Sequence, residues 1–135
     1  MGAVRGMVLG LALLAATGCS DSVTGPSVEL DAQVTLAPGD TVRLTGTVLL
    51  LRFDGVEGDS RCPADAICIL GGDAVARVTV IAGDTRRSYD LHTGSLQPAH
   101  HDGYTITLVV LSPYPFSARP VAPGEYRLTV RVARR

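Results

Sequence analysis

The chain has 135 residues, with 12 Arg and no Lys against 13 Asp and Glu, and a formal net charge of −1. Both signs are mixed along its length, so no basic stripe exists to hold nucleic acid, and no such partner is expected. Lys, Asn and Trp are absent, which suggests a GC-rich coding bias, and no repeat of about 20–50 residues is visible.

The first feature in chain order is a leader. Arg5 supplies a positive charge beside the amino terminus, and an uncharged, mostly apolar run follows from Met7 to Ala16. That is the layout of a secretory signal; a transmembrane helix would need about 20 apolar residues. The run ends Ala16-Thr17-Gly18-Cys19, which resembles the bacterial lipobox, although the commonest lipobox has Leu where this chain has Ala16. The resemblance implies diacylglycerol on the Cys19 sulfur, cleavage before Cys19 and an acyl chain on the new amino group. Two or more such chains anchor a protein stably. Residues 1–18 then form a lipoprotein signal peptide. Residues 19–27 form the lipidated Cys and a polar, flexible tether, and residues 28–135 the folded domain. The expected location is the bacterial cell envelope, extracytoplasmic and membrane-anchored. In lipoproteins of Gram-negative cells, Ser20 after the cysteine favours the outer membrane.

Strand signals fill the rest. VELDAQVTL, residues 28–36, alternates with period two and predicts one half-buried strand. A turn at APGD precedes a second strand from Thr41 to Phe53, with a change of phase at Gly46 that suggests a bulge or a bend between sheets. Ala74–Ile81 and Thr85–Leu91 read as a hairpin around AGDT. Tyr104–Leu111 follows, with Tyr104, Ile106, Leu108 and Val110 on one face. The last strand is Glu125–Ala133, with Tyr126, Leu128, Val130 and Val132 inward, and a short extra strand is placed near Ala118–Val121. Nothing after the leader has a helical period. The fold class is all-β: an antiparallel β-sandwich of six to seven strands, with a small closed β-barrel as the alternative.

With Cys19 lipidated, Cys62 and Cys68 remain in an oxidising compartment. A pair six positions apart, in a loop containing Pro63, reads as a structural disulfide. Zinc would want four ligands, and a redox pair C-x-x-C at a helix start; these are the weaker readings.

Three stretches together resemble a family of small uncharacterised bacterial lipoproteins. They are LRFDGVEGDSRCPADAICILGGDAVARVTV, YDLHTG and ITLVVLSPYPFSARPVAPGEYRLTVRV. The family pattern is D-S-R-C-P, a second cysteine and a Trp-containing turn, then L-x-P-x-P and a terminal Y-x-L-x-V strand. This chain has Leu70 where the family has Trp. The resemblance implies a secreted β-domain and carries over no catalytic role.

Candidate sites are few. Asp59, Ser60 and Arg61 form either a hydrogen-bonded turn or a recognition loop that presents Arg61 as the exposed contact. His92, His100, His101 and Asp102 are weak candidates for binding Zn or Cu, at a spacing that fits no known ligand motif. Ser60, His92 and Asp90 make a triad by composition only, with no nucleophile motif around the serine. Tyr114 and Phe116 are expected to plug the edge of the core, with a binding strip as the alternative. The reading is a non-enzymatic envelope binding or structural module without cofactor, whose partner is an unidentified protein or glycan. A periplasmic protease inhibitor, since ARPVAPGEY resembles the Arg-Pro loop of chagasin-like inhibitors, and a metal-binding envelope protein are the alternatives.

Overall fold

The computed structural model describes residue 2 and residues 25–135. The leader, the cleavage site and Cys19 lie outside the described residues. Nine strands follow in chain order: β1 Ser27–Val28, β2 Gln33–Leu36, β3 Thr41–Leu44, β4 Leu49–Asp59, β5 Ala74–Ala82, β6 Thr85–His92, β7 Ala99–His101, β8 Tyr104–Ser112 and β9 Arg127–Arg134. They form two open sheets, ordered β1-β3-β4-β5-β6 and β2-β9-β8-β7. The architecture is therefore a sandwich and not a barrel. Every pairing is antiparallel except β1 with β3.

The core lies between the sheets. Leu51, Phe53, Val78 and Leu91 come from the first sheet and Ile106, Leu111, Leu128 and Val130 from the second; all are buried in one cluster. Alternation produces this directly, because every second side chain of a strand turns inward.

Several expected boundaries are corrected. The stretch 28–36 is two strands, because Asp31 takes a positive φ of 66° and the chain crosses there from one sheet to the other. Its apolar phase survives, since Val28 and Val34 both pack against the core from opposite layers. The phase change at Gly46 is a hairpin turn between β3 and β4, at φ 74°. The AGDT hairpin pairs Ala82 with Thr85, as expected, with Gly83 at φ 58°. In β8 the register slips between Leu108 and Val110. This bulge leaves Val110 exposed and turns Leu111 inward instead. The short strand expected at Ala118–Val121 is only an isolated bridge between Phe116 and Arg119. β7 was not expected.

The two ends of the sandwich differ. One end carries three tight turns, at residues 45–48, 83–84 and 102–103. The other carries the long connections: residues 60–73 between β4 and β5, 93–98 between β6 and β7, and 113–126 between β8 and β9. Among the described residues no helix is long and apolar enough to cross a membrane.

Candidate functional site

The loop after β4 is closed by a disulfide between Cys62 and Cys68. Its base is zipped by backbone and side-chain bonds. Ser60 N donates to the Asp73 carbonyl at 2.7 Å, and Asp73 N donates to Ser60 Oγ at 3.1 Å. Gly72 lies so close to this seam that a Cβ there would sit 1.5 Å from the Ser60 carbonyl oxygen. No residue with a side chain fits.

Arg61 fastens the loop to the second sheet. Its Nε and Nη2 donate to Asp59 Oδ1 and Oδ2 at 2.8 and 2.6 Å, a bidentate pair. Nη1 donates to the Leu111 carbonyl at 2.7 Å and Nη2 to the Pro113 carbonyl at 2.9 Å. The guanidinium lies 4.8 Å from the centre of the Tyr114 ring. The Tyr126 hydroxyl donates to Asp59 Oδ2 at 3.0 Å. Burial works against charge on Asp59, but the hydrogen bonds from Arg61 and Tyr126 outweigh it and hold the carboxyl below its usual range. The same carboxylate raises the Arg61 pKa against the opposing cost of burial. For Tyr126, burial first and then the bond to Asp59 push the phenol upward.

This geometry corrects the reading of Arg61 as an exposed contact. The residue is 6% exposed. Long-range acceptors on β8 and the loop after it consume its donors, so it serves as the fastener of the loop. Of the two readings of Asp59, Ser60 and Arg61, the hydrogen-bonded turn describes the contacts.

Two further seams dock the loop on residues 113–126 and 93–98. Ala64 N donates to the Pro115 carbonyl at 2.9 Å. Ser117 donates through its backbone N, at 2.8 Å, and its hydroxyl to the Asp65 carboxylate. These two bonds lower the Asp65 pKa. On the other flank Asp73 accepts from Gly94 N at 2.8 Å and Thr93 Oγ1 at 3.1 Å, and pairs with His92 Nδ1 at 2.6 Å. Burial would raise the Asp73 pKa, yet these bonds keep it lowered.

What this framework presents is apolar. Ile67 is 104% exposed, Ile69 101% and Leu70 82%, so three aliphatic side chains around Cys68 stand free of the protein. Leu96, Tyr114 and Phe116 are also more than half exposed, on the two neighbouring loops. The two aromatics therefore do not plug the core edge. Clefts of about 190 and 210 Å³ flank Arg61 and Tyr114, below the ~300–1,000 Å³ usual for small-molecule sites. A third, of about 410 Å³, is lined by residues that include Pro63, Phe116 and Tyr126. Residue-by-residue reading missed the aliphatic tip. Its only trace is a cluster of apolar residues in a Gly-bounded loop, ICILGG, where no strand partner exists to cover them.

The remaining candidates are scattered. His92 is occupied by Asp73, and His101 is buried with Nδ1 2.8 Å from the Tyr89 hydroxyl. His101 Nε2 lies 3.6 Å from Asp102 Oδ2, while His100 Nδ1 lies 3.4 Å from Thr105 Oγ1. The four weak metal candidates are thus not gathered, and no group of three His, Cys, Asp or Glu suits a metal among the described residues. Ser60 bonds to Asp73, and Asp90 accepts from Arg77. Neither is hydrogen-bonded to His92, whose Nδ1 is taken by Asp73, so the triad by composition does not assemble. Set beside models of protein families, curated proteins and solved structures, the chain matches none of them.

Proposed function

We propose that the chain is a lipid-anchored envelope protein whose sandwich acts by contact and not by catalysis. Its contact surface is the crown of loops at the disulfide end. The observation that carries this reading is the full exposure of Ile67 and Ile69 on either side of a bridged cysteine. A loop fastened by a disulfide, a bidentate ion pair and seams to two neighbours holds apolar groups in water at a standing cost, and such patches mark interaction sites. The leader, the Ala-Thr-Gly-Cys sequence and the resemblance to small D-S-R-C-P lipoproteins support the location. Pre-ordered loops lose little entropy on contact, which favours recognition.

The test has two arms. Intact mass of the protein extracted from membranes reports residues 1–18 removed and acyl groups on Cys19; an intact, unmodified leader overturns the anchor. In-cell photo-cross-linking, read for lipid and for protein adducts alike, then compares wild type with an Ile67→Ser, Ile69→Ser, Leu70→Ser variant and with Val48→Ser at the opposite end. The crown variant is expected to lose contacts that Val48→Ser retains, and equal patterns overturn the contact surface.

A further inference from the structure

We propose that the apolar crown lies in the interfacial layer of the same lipid surface that holds the acyl groups of Cys19. This rests on the anchored reading above and names the occupant of its contact surface.

The direction of the chain is the first argument. β1 runs parallel to β3, and β3 runs away from the crown, toward the turn at residues 45–48. The polypeptide therefore enters β1 from the crown side. Pro26 is fixed there by its carbonyl, which accepts from Arg43 N at 2.9 Å. Beside this point Thr41 pairs with Arg52. From Arg52 to Asp59, where the crown begins, β4 is about 23 Å long. The chain from Cys19 to Gly25 spans at most about 20 Å. Even fully drawn out, the tether ends short of Asp59, so a lipid on Cys19 cannot lie beyond the crown. Tether length and entry direction place the membrane and the crown on the same side.

Charge is the second argument. In the crown loops Asp59 is neutralised by Arg61 and Glu125 by Arg119, while Asp65 and Asp73 are held by hydrogen bonds, from Ser117 and from Thr93, Gly94 and His92. Apart from those two carboxylates, little free charge has to leave water. Shape is the third. Ile67, Ile69 and Leu70 are all exposed within four residues of one loop, and a fluid apolar phase accepts such groups without a complementary cleft. Tyr114 and Phe116, exposed on the neighbouring loop, are of the kind that favours bilayer interfaces.

The chain has no Trp, so Leu70→Trp installs a single reporter at an exposed position, and Val48→Trp one at the opposite end. Each full chain is purified from membranes with its lipid, checked by mass and reconstituted into phosphatidylethanolamine–phosphatidylglycerol vesicles. The Leu70→Trp protein is expected to emit with a blue shift and to lose intensity to acyl-brominated lipid. Val48→Trp should do neither, and adding Ile67→Ser and Ile69→Ser should reverse both effects. Water-like emission from acylated Leu70→Trp overturns the proposal. So does a blue shift without bromine quenching, which means that a protein or a second copy covers the crown. Absence of acyl groups sinks the anchored reading instead. In that case the same chain mixed with preformed vesicles decides this inference alone: quenching at Leu70→Trp sustains it and no quenching ends it.

Discussion

Removing the Arg61 guanidinium would strand Asp59 and two backbone carbonyls at once, since all accept from it in a nearly solvent-free setting. Breaking a buried pair from one side costs about 3–5 kcal/mol. Arg61→Ala is therefore expected to lose stability in that range, read as a lower urea midpoint at unchanged slope, and Arg61→Lys to recover only part of it. An ammonium lacks the planar fork that meets both Asp59 oxygens and both carbonyls; a midpoint for Arg61→Ala equal to wild type would refute the fastening role. Acid should act through the same residue. Asp59 titrates lower in the folded chain than in the unfolded one, so its contribution is complete above the unfolded value of about 4 and is lost as pH falls through the folded value. Asp65 and Asp73 share that sign. Urea midpoints measured downward from about pH 5 should fall, and Asp59→Asn should flatten the decline. Little of Arg61 was legible in advance. Charged side chains are normally solvated, and its partners at Leu111 and Pro113 lie 50 and 52 residues along the chain.

The loop of residues 60–73 is held by several independent devices, and each should give way by its own amount. The ring closed by Cys62 and Cys68 is short, so the loop-closure term is about 2 kcal/mol. Cys62→Ser with Cys68→Ser, or reduction, is expected to lower stability by no more than that while the strands remain. Far-ultraviolet dichroism through a denaturant titration reads both quantities, and a loss of the whole sheet signal would contradict this. Gly72→Ala is the harsher change, because the methyl group meets backbone at the Ser60 carbonyl and not a movable side chain. Overpacking typically costs about 1–3 kcal/mol, and a clash with backbone belongs at the upper end; a melting temperature within error of wild type would show that the seam yields. The cysteine pairing was readable from spacing together with the expectation of export. The Gly72 contact was not, since nothing local distinguishes it from Gly71. Strand interiors were readable for the opposite reason: period two states which face is buried wherever the ladder is regular. It failed at Asp31, where the chain changes sheets, and at Val109, where a bulge inverts the faces.

For the molecule as a whole, two sheets share one core, and Phe53 is the largest side chain fully enclosed by it. Phe53→Ala is expected to cost about 3–5 kcal/mol, lowering the denaturant midpoint without changing the cooperativity; a loss of about 1 kcal/mol or less would mean that the sheets close over the gap. Alternation sufficed to announce a sandwich, because it counts buried faces. Strand order was hidden, since register between distant strands depends on which edges meet and not on any local pattern. The crown was hidden too. Periodicity reports where apolar residues are covered, and Ile67, Ile69 and Leu70 belong to no ladder.

The parallel clip of β1 on β3 also bears on mechanics. Its ladder is flanked by the bonds from Arg43 N to the Pro26 carbonyl and from Thr45 N to the Val28 carbonyl, each 2.9 Å. Tension drawn from the amino terminus runs along these strands and loads both bonds together, in shear. Once they slip, residues 26–30, already extended along the pull, add little length before the bond from Asp31 N to the Val132 carbonyl takes the strain. An anchor on the amino terminus would thus load this edge clip before any strand of the core.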